Sequence, residues 1–211
     1  MRAISRRLGQ LFAGLALYGV STAFMVESDL GLNPWDVFHQ GLSRVTGIGL
    51  GTVVILVGVP VMLLWLPLRQ RPGFGTLANL VLVGLAVDGA LAVLPTGGTL
   101  PARIGYLIAG ILLNGLATAL YLGSRFGAGP RDGLMTGLAG RFPRLSLRVI
   151  RTGIELSVLA AGIALGGTAG VGTVAYALAI GPLVQFFLPR VSAPLPRLGT
   201  RPEPVKATQQ A

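Results

Sequence analysis

Six long apolar segments dominate the sequence and restrict what it can fold into. Each is about 17 to 21 residues long, the length with which an α-helix rising 1.5 Å per residue crosses a hydrocarbon core about 30 Å thick. The sequence therefore predicts an all-α polytopic membrane protein with six transmembrane helices. The segments are Leu8 to Met25, Leu50 to Leu68, Phe74 to Leu94, Ile104 to Leu122, Leu145 to Leu165 and Val171 to Leu188.

The composition argues against a soluble helical bundle. Charged residues make up 11% of the chain and mean hydropathy is +0.73, whereas soluble domains carry about 25% charged residues. The first apolar segment follows Arg2, Arg6 and Arg7 and could be a secretory signal. Its length, the lack of a small-x-small cleavage site and a counterpart later in the chain favour a mature helix.

The distribution of positive charge predicts an orientation. If the N-terminus is cytoplasmic and six helices cross, Arg44 and Arg103 lie outside and the other 15 of the 17 Lys and Arg residues lie in the cytoplasm. That is the positive-inside pattern of a plasma-membrane protein with both termini cytoplasmic. The net charge of +10 therefore reports topology, and we expect no nucleic-acid partner. The basic segment 1–7 and a proline-rich, disordered tail, 190–211, are predicted to lie in the cytoplasm.

The chain repeats itself. The segment from Ser28 to Asp36 returns as Ser124 to Asp132, at an offset of 96, and Gly73 to Thr76 returns as 170–173 at an offset of 97. This divides the membrane region into a first repeat, 8–95, and a second, 96–189. Three crossings in each repeat would place the second upside down relative to the first, an inverted 3+3 arrangement common in secondary transporters.

These repeated motifs also carry a family resemblance. The segments Leu30 to Phe38, Gly127 to Leu134 and Gly170 to Thr173 resemble those of the YitT/YczE-like bacterial integral membrane proteins. The resemblance covers nearly everything from residue 8 to residue 188. It implies an uncharacterised polytopic protein of the bacterial plasma membrane, in a group from which some members have been proposed as small-molecule exporters.

Each repeat contains a short segment with helix-start signals. In Pro34 to Val45 and Pro130 to Phe142, proline stands at the first helical position, an Asp follows in the first turn, and Asn33 or Gly129 precedes. A helix of 12 or 13 residues reaches only about 18 to 20 Å, too short to span. These half-helices are either re-entrant, with N-termini meeting at the bilayer centre, or flat at the interface. A third option, in which both cross and the repeats are parallel, fits the charge distribution less well.

Ionisable residues within apolar segments complete the candidate substrate path, since charge in hydrocarbon persists mainly where it pairs or lines a cavity. Arg148, Arg151 and Glu155 share one helix face and could form an internal network. These groups are either satisfied ion pairs or a proton or anion relay. The candidates are Asn33, Pro34, Asp36, Asp88, Pro130, Arg131, Asp132, Arg148, Arg151 and Glu155.

Two further residues of the first half-helix favour ordinary roles. His39 has no polar counterpart in the second repeat, since Met135 stands there, and is interpreted as a polar interface residue rather than a proton switch. Trp35, matched by Arg131, is interpreted as a membrane anchor.

The residue inventory disfavours an enzyme. The chain has no Cys and one His, so we expect no metal site, and no motif indicates a cofactor or a catalytic nucleophile. The hypothesis is a small-molecule permease or exporter, with proton coupling as an option. The alternative is a non-transporting membrane scaffold or regulator that assists a partner. The expected partners are the lipid bilayer and an unidentified small molecule, with a homo-oligomer left open.

Overall fold

Eight α-helices make up most of residues 2–192, the part of the chain that the computed structural model describes. Of the predicted disordered tail, residues 193–211 lie outside this range. The helices are α1 (Arg2–Ser28), α2 (Pro34–Thr46), α3 (Leu50–Leu63), α4 (Phe74–Leu91), α5 (Leu100–Ser124), α6 (Pro130–Arg141), α7 (Leu147–Ala164) and α8 (Val171–Val191). The all-α prediction is confirmed.

The number of spanning helices is lower than six by length and hydropathy. Four described helices, α1, α4, α5 and α8, are long and apolar enough to cross a membrane, and α2 with α3 makes a fifth if that pair, bent by 112°, is one span. α3 ends after 14 residues, and α7 carries Arg148, Arg151 and Glu155 within 18 residues. The six-span prediction is therefore confirmed only in part, because α3 is shorter than its apolar segment and α7 carries three charged residues within 18.

The two short helices begin and end close to where the sequence predicts. α2 has 13 residues and α6 has 12, and each has proline in its first turn. The side-chain oxygen of Asn33 accepts a hydrogen bond from the backbone N–H of Asp36 at 3.0 Å and so caps α2. Gly129 precedes α6 without a side-chain cap.

α1 and α5 cross antiparallel at the centre of the bundle. Near the start of α1, Arg7 Nε donates to the carbonyl of Ser124 at 3.0 Å. Near the other end, Arg103 Nε donates to the carbonyl of Ser28 at 2.7 Å. Arg103 follows Arg7 by 96 residues, and Ser124 follows Ser28 by the same offset. Each contact is therefore repeated at the opposite end of the helix pair.

Glycines allow this close crossing. A Cβ added to Gly14 would lie 2.8 Å from the backbone nitrogen of Tyr121, and one added to Gly110 would lie 2.6 Å from Cγ of Met25. Gly110 follows Gly14 by 96 residues, and Tyr121 follows Met25 by 96. Small residues at a helix crossing let the backbones approach, the usual basis of packing between membrane helices.

The loops that precede the short helices are held by the opposite half of the chain. The backbone N–H of Gly172 in α8 donates to the carbonyl of Leu30 at 2.8 Å, and Gly75 in α4 donates in the same way to Phe126 at 2.9 Å. These bonds fix the first residues of α2 and α6, where the candidate site lies.

Candidate functional site

A cavity of about 320 Å³ lies among α1, α3, α4, α5 and α8, beside the N-termini of α2 and α6. Its apolar wall includes Val54, Val57, Val61, Val83 and Val184, and its polar wall includes Tyr18, His39, Tyr121, Arg131, Asp132, Arg151 and Tyr176. The size is near the lower end of ligand pockets. Both halves of the chain contribute to the wall, so the cavity is a shared site.

The carboxylate of Asp36 lies beside the cavity at the centre of a buried cluster that we call the buried joint; its other members are Thr22, Asn33, His39 and Arg131. Asp36 is 1% exposed, and three side chains of the first half approach it: Thr22 Oγ1 at 3.2 Å, Asn33 Nδ2 at 2.5 Å and His39 Nδ1 at 3.2 Å. The second half adds Arg131, whose Nη2 lies 3.3 Å from Oδ1. Burial of a carboxylate is tolerated when it is paired and hydrogen-bonded in this way.

The N-termini of α2 and α6 meet through two repeat-related side chains. The guanidinium of Arg131 lies 5.1 Å from the centre of the Trp35 ring, within the range of a cation–π interaction. Trp35 is 6% exposed, so the interpretation of this residue as a membrane anchor is wrong: the ring is a stacking platform inside the bundle. His39, 1% exposed, likewise belongs to the buried joint and not to an interface.

Asp132 faces the cavity with fewer partners. The Tyr121 hydroxyl donates to its Oδ2, and Asp132 lines the cavity wall. The ion pairs formed within residues 2–192 do not include Asp132. The repeat-related carboxylates Asp36 and Asp132 therefore lie in different surroundings.

The two prolines hold the helix starts and do not form the chemistry of the site. Pro34 and Pro130 are the first residues of α2 and α6. The carbonyl of Pro130 accepts a hydrogen bond from Nε1 of Trp65 at 3.0 Å, and this buried contact attaches α6 to the end of α3.

Asp88 lies apart from the cavity. Its Oδ1 accepts from the backbone N–H of Gly51 at 2.7 Å, and its Oδ2 accepts from the backbone N–H and the hydroxyl of Thr52 at 3.1 and 3.2 Å. A carboxylate at the start of a helix satisfies otherwise unpaired N–H groups and faces the positive end of the helix dipole. We therefore assign Asp88 to capping α3 rather than to the substrate path that the sequence suggested.

The predicted network on α7 is reduced to a single pair. Arg151 Nε donates to Glu155 Oε1 at 2.8 Å, and Arg151 lines the cavity whereas Glu155 does not. Arg148 is exposed and lies outside both the pair and the cavity wall. α7 thus contributes one guanidinium to the site.

Sequence inspection missed a neutral polar network beside the cavity. Tyr176 donates to Oδ1 of Asn114 at 2.9 Å, and Asn114 Nδ2 donates to Ser21 Oγ at 2.8 Å. Asn114 is fully buried. Asn114 follows Tyr18 by 96 residues and Tyr176 follows Asn79 by 97. At each of these two repeat-related positions both copies are polar, and this pattern in apolar helices could have indicated the network from sequence.

No group of three or more His, Asp or Glu residues suited to a metal ion occurs within residues 2–192. Among the described side chains, Nε1 of Trp35 is buried without a hydrogen-bond partner. The arrangement consists of aromatic, hydroxyl and charged groups around an apolar space.

The chain is similar to a family of unknown function and to bacterial proteins that are named as uncharacterized. Residues 5–189 match the family of unknown function DUF6198. An uncharacterized protein of Haemophilus influenzae is 43% identical over 188 residues, covering 89% of this chain and 85% of that protein. The uncharacterized membrane protein YczE of Bacillus subtilis is 33% identical over 181 residues, covering 85% and 84%. No solved structure matches significantly. The resemblance to YczE-like proteins is thus confirmed.

Proposed function

We propose a transport function for this chain, which belongs to the DUF6198 family, a family of unknown function. It is a multi-pass bacterial membrane protein. The proposal is that it acts as a small-molecule permease or exporter, with the cavity between its two halves as the central binding site. The observation that carries the proposal is that this cavity lies where the N-termini of two short helices meet.

The antiparallel crossing of α1 and α5 supports an inverted repeat. Helices related by the sequence duplication would run parallel if the second half had the same orientation as the first. Halfway between the contacts at Arg7 and Arg103, the repeat-related Tyr18 and Asn114 lie at the same level. An axis through this point, in the membrane plane, relates the two halves, and transporters built this way bind substrate near it.

The short helices support the re-entrant alternative. α2 turns back into α3 with a bend of 112°, and Arg131 of α6 reaches Asp36 of α2. With α2 and α6 entering from opposite faces and turning near the midplane, the spans would be α1, α4, α5, α7, α8 and α3 together with the turns that extend it over residues 64–69. Both termini would then be cytoplasmic, in accordance with the positive-inside pattern. Charged groups at that depth are expected where they pair or line a cavity.

A substrate-free labelling experiment tests the proposal. The chain has no Cys, so a single introduced thiol reports on its own position. Val184 lines the cavity, and the repeat-related Val87 is fully buried without lining it. We expect Val184→Cys to react with membrane-impermeant methanethiosulfonates, cationic or anionic, applied to intact cells and also to inverted vesicles. Val87→Cys, a matched control of equal size, should remain unlabelled.

Access from both faces is what separates a permease from a scaffold. A transporter exposes its central site alternately to each side of the membrane, whereas a scaffold has no need to open its core. Labelling of Val184→Cys from one face alone, or from neither, would contradict transport. Labelling of both variants would show that the bundle opens nonspecifically and would equally contradict a defined path.

A further inference from the structure

The charged side chains of the cavity wall are the guanidiniums of Arg131 and Arg151 and the carboxylate of Asp132. Arg131 and Arg151 line the cavity, and each has a carboxylate of its own, Asp36 at 3.3 Å and Glu155 at 2.8 Å. His39 is 1% exposed, and its Nδ1 lies 3.2 Å from Oδ1 of Asp36 and 3.4 Å from Nη2 of Arg131. Burial and the neighbouring guanidinium both disfavour a second positive charge there, and Arg131 already pairs with the Asp36 carboxylate. We therefore take His39 as neutral, so that the two guanidiniums are already compensated.

Asp132 is the carboxylate that has no ion-pair partner among the described residues. Its described contact is the Tyr121 hydroxyl, a neutral donor, and within the described residues no cationic nitrogen lies within 4 Å of its carboxylate. An ionised carboxylate beside an apolar space is costly unless an opposite charge approaches it. When the two guanidiniums are counted together with their own carboxylates, Asp36 and Glu155, the Asp132 carboxylate is one negative charge in excess.

The remaining wall indicates what kind of positive charge would fit. Tyr18, Tyr121 and Tyr176 present three aromatic rings to the cavity, with valine and leucine side chains between them. Aromatic faces attract organic ammonium groups by cation–π interaction. A metal ion would require about six oxygen ligands, and Asp132 is the carboxylate that the described wall supplies.

We propose that the cavity binds a small organic cation, a protonated amine or a quaternary ammonium compound, with Asp132 as its charge partner and the tyrosines as its aromatic walls. This inference rests on the proposed function, since it names the substrate class of the same site. The cation occupies the space next to Asp132, beside the N-termini of α2 and α6, and neutralises the negative charge of the Asp132 carboxylate.

The test compares two thiol reagents of similar size at Val184→Cys. One carries a trimethylammonium group and the other a sulfonate. The ratio of their reaction rates, divided by the ratio for a free thiol in solution, measures charge preference inside the cavity. We expect a ratio above one that falls about tenfold in Asp132→Asn, because a unit charge is removed at short range in a partly apolar site. Asp132→Glu should restore the preference, and Asp88→Asn, outside the cavity, should leave it unchanged.

A protection experiment keeps the proposal testable if Asp132→Asn does not fold. Tetraethylammonium should slow labelling of Val184→Cys, whereas benzoate at the same concentration should not. A rate ratio below one, protection by benzoate instead, or an unchanged ratio in a folded Asp132→Asn variant would overturn the proposal. These outcomes differ from failure of the transport function itself, which would appear as loss of two-sided labelling whatever the reagent's charge.

Discussion

The two repeat-related carboxylates Asp36 and Asp132 occupy the same helical position in α2 and α6 and have opposite surroundings. Asp36 is sealed among four polar side chains from both halves. Asp132 has the Tyr121 hydroxyl and an open cavity. One copy of the duplicated acidic residue therefore holds the two halves together, and the other copy faces the space where a ligand would bind.

A few sequence differences between the repeats explain this divergence. Asn33 caps the first short helix, whereas Gly129 precedes the second; His39 lies beside Asp36, whereas Met135 occupies the equivalent position of α6. Both changes add polar partners around Asp36 and none around Asp132. The asymmetry of the site therefore comes from differences in side chains, while the backbone of the two short helices remains similar at their N-termini.

The largest expected effect is on the buried joint. Asp36→Asn leaves the Arg131 guanidinium without its anion, and loss of one partner of a buried ion pair destabilises by about 3–5 kcal/mol. Asp132→Asn removes a carboxylate that has no ion-pair partner and keeps an oxygen that can accept the hydrogen bond of the Tyr121 hydroxyl, so it should cost less than about 1 kcal/mol. The free energy of unfolding in mixed detergent micelles measures both. Equal losses would contradict the division of roles between the two residues.

The glycines at the α1–α5 crossing test whether the two ends of that contact are equivalent. In Gly14→Ala the new Cβ lies 2.8 Å from the backbone nitrogen of Tyr121. In Gly110→Ala its shortest contact, 2.6 Å, is with Cγ of the Met25 side chain, and its backbone contacts are longer, at 3.0 Å to the oxygen of Ser21 and 3.2 Å to the nitrogen of Met25. We expect losses of about 1–3 kcal/mol, larger for Gly14, because overpacking is relieved more easily by a side chain than by a backbone.

Gly105→Ala is the matched control for these substitutions. It lies on α5 with nothing within 4 Å of an added Cβ, so the variant should gain up to about 1 kcal/mol from helix propensity. The same unfolding measurement serves for all three variants. A loss at Gly105 equal to those at Gly14 and Gly110 would show that the effect is not due to the crossing.

Sequence reasoning found the elements whose signals are local. Asn33-Pro34 and Gly129-Pro130 predicted the starts of α2 and α6, since capping chemistry depends on a few adjacent residues. It failed for Asp88, because the backbone N–H of Gly51 at the start of α3, to which this carboxylate binds, lies 37 residues earlier in the chain. The neutral network around Asn114 was missed for a related reason: a single amide in an apolar helix gives no indication of its partners, which lie on other helices.

The smallest expected effect concerns the two ends of the central helix pair. Arg103 donates to the carbonyl of Ser28 and pairs with Asp29 at 3.0 Å. The repeat-related Arg7 donates to the carbonyl of Ser124 and lies 5.1 Å from the centre of the Phe126 ring, with Arg125 in place of an acid. One end thus has an ion pair and the other has a cation–π contact.

Salt distinguishes these two contacts. Arg103→Gln and Arg7→Gln should each cost about 1 kcal/mol or less, because the Asp29 side chain is 62% exposed and exposed pairs contribute little. The Arg103→Gln loss should shrink between about 20 mM and about 1 M NaCl, since screening weakens exposed ion pairs. The Arg7→Gln loss should change less, because an aromatic face carries no net charge to screen. Unfolding midpoints at the two salt concentrations give the comparison, and equal salt dependence would show that the ion pair does not distinguish the two ends.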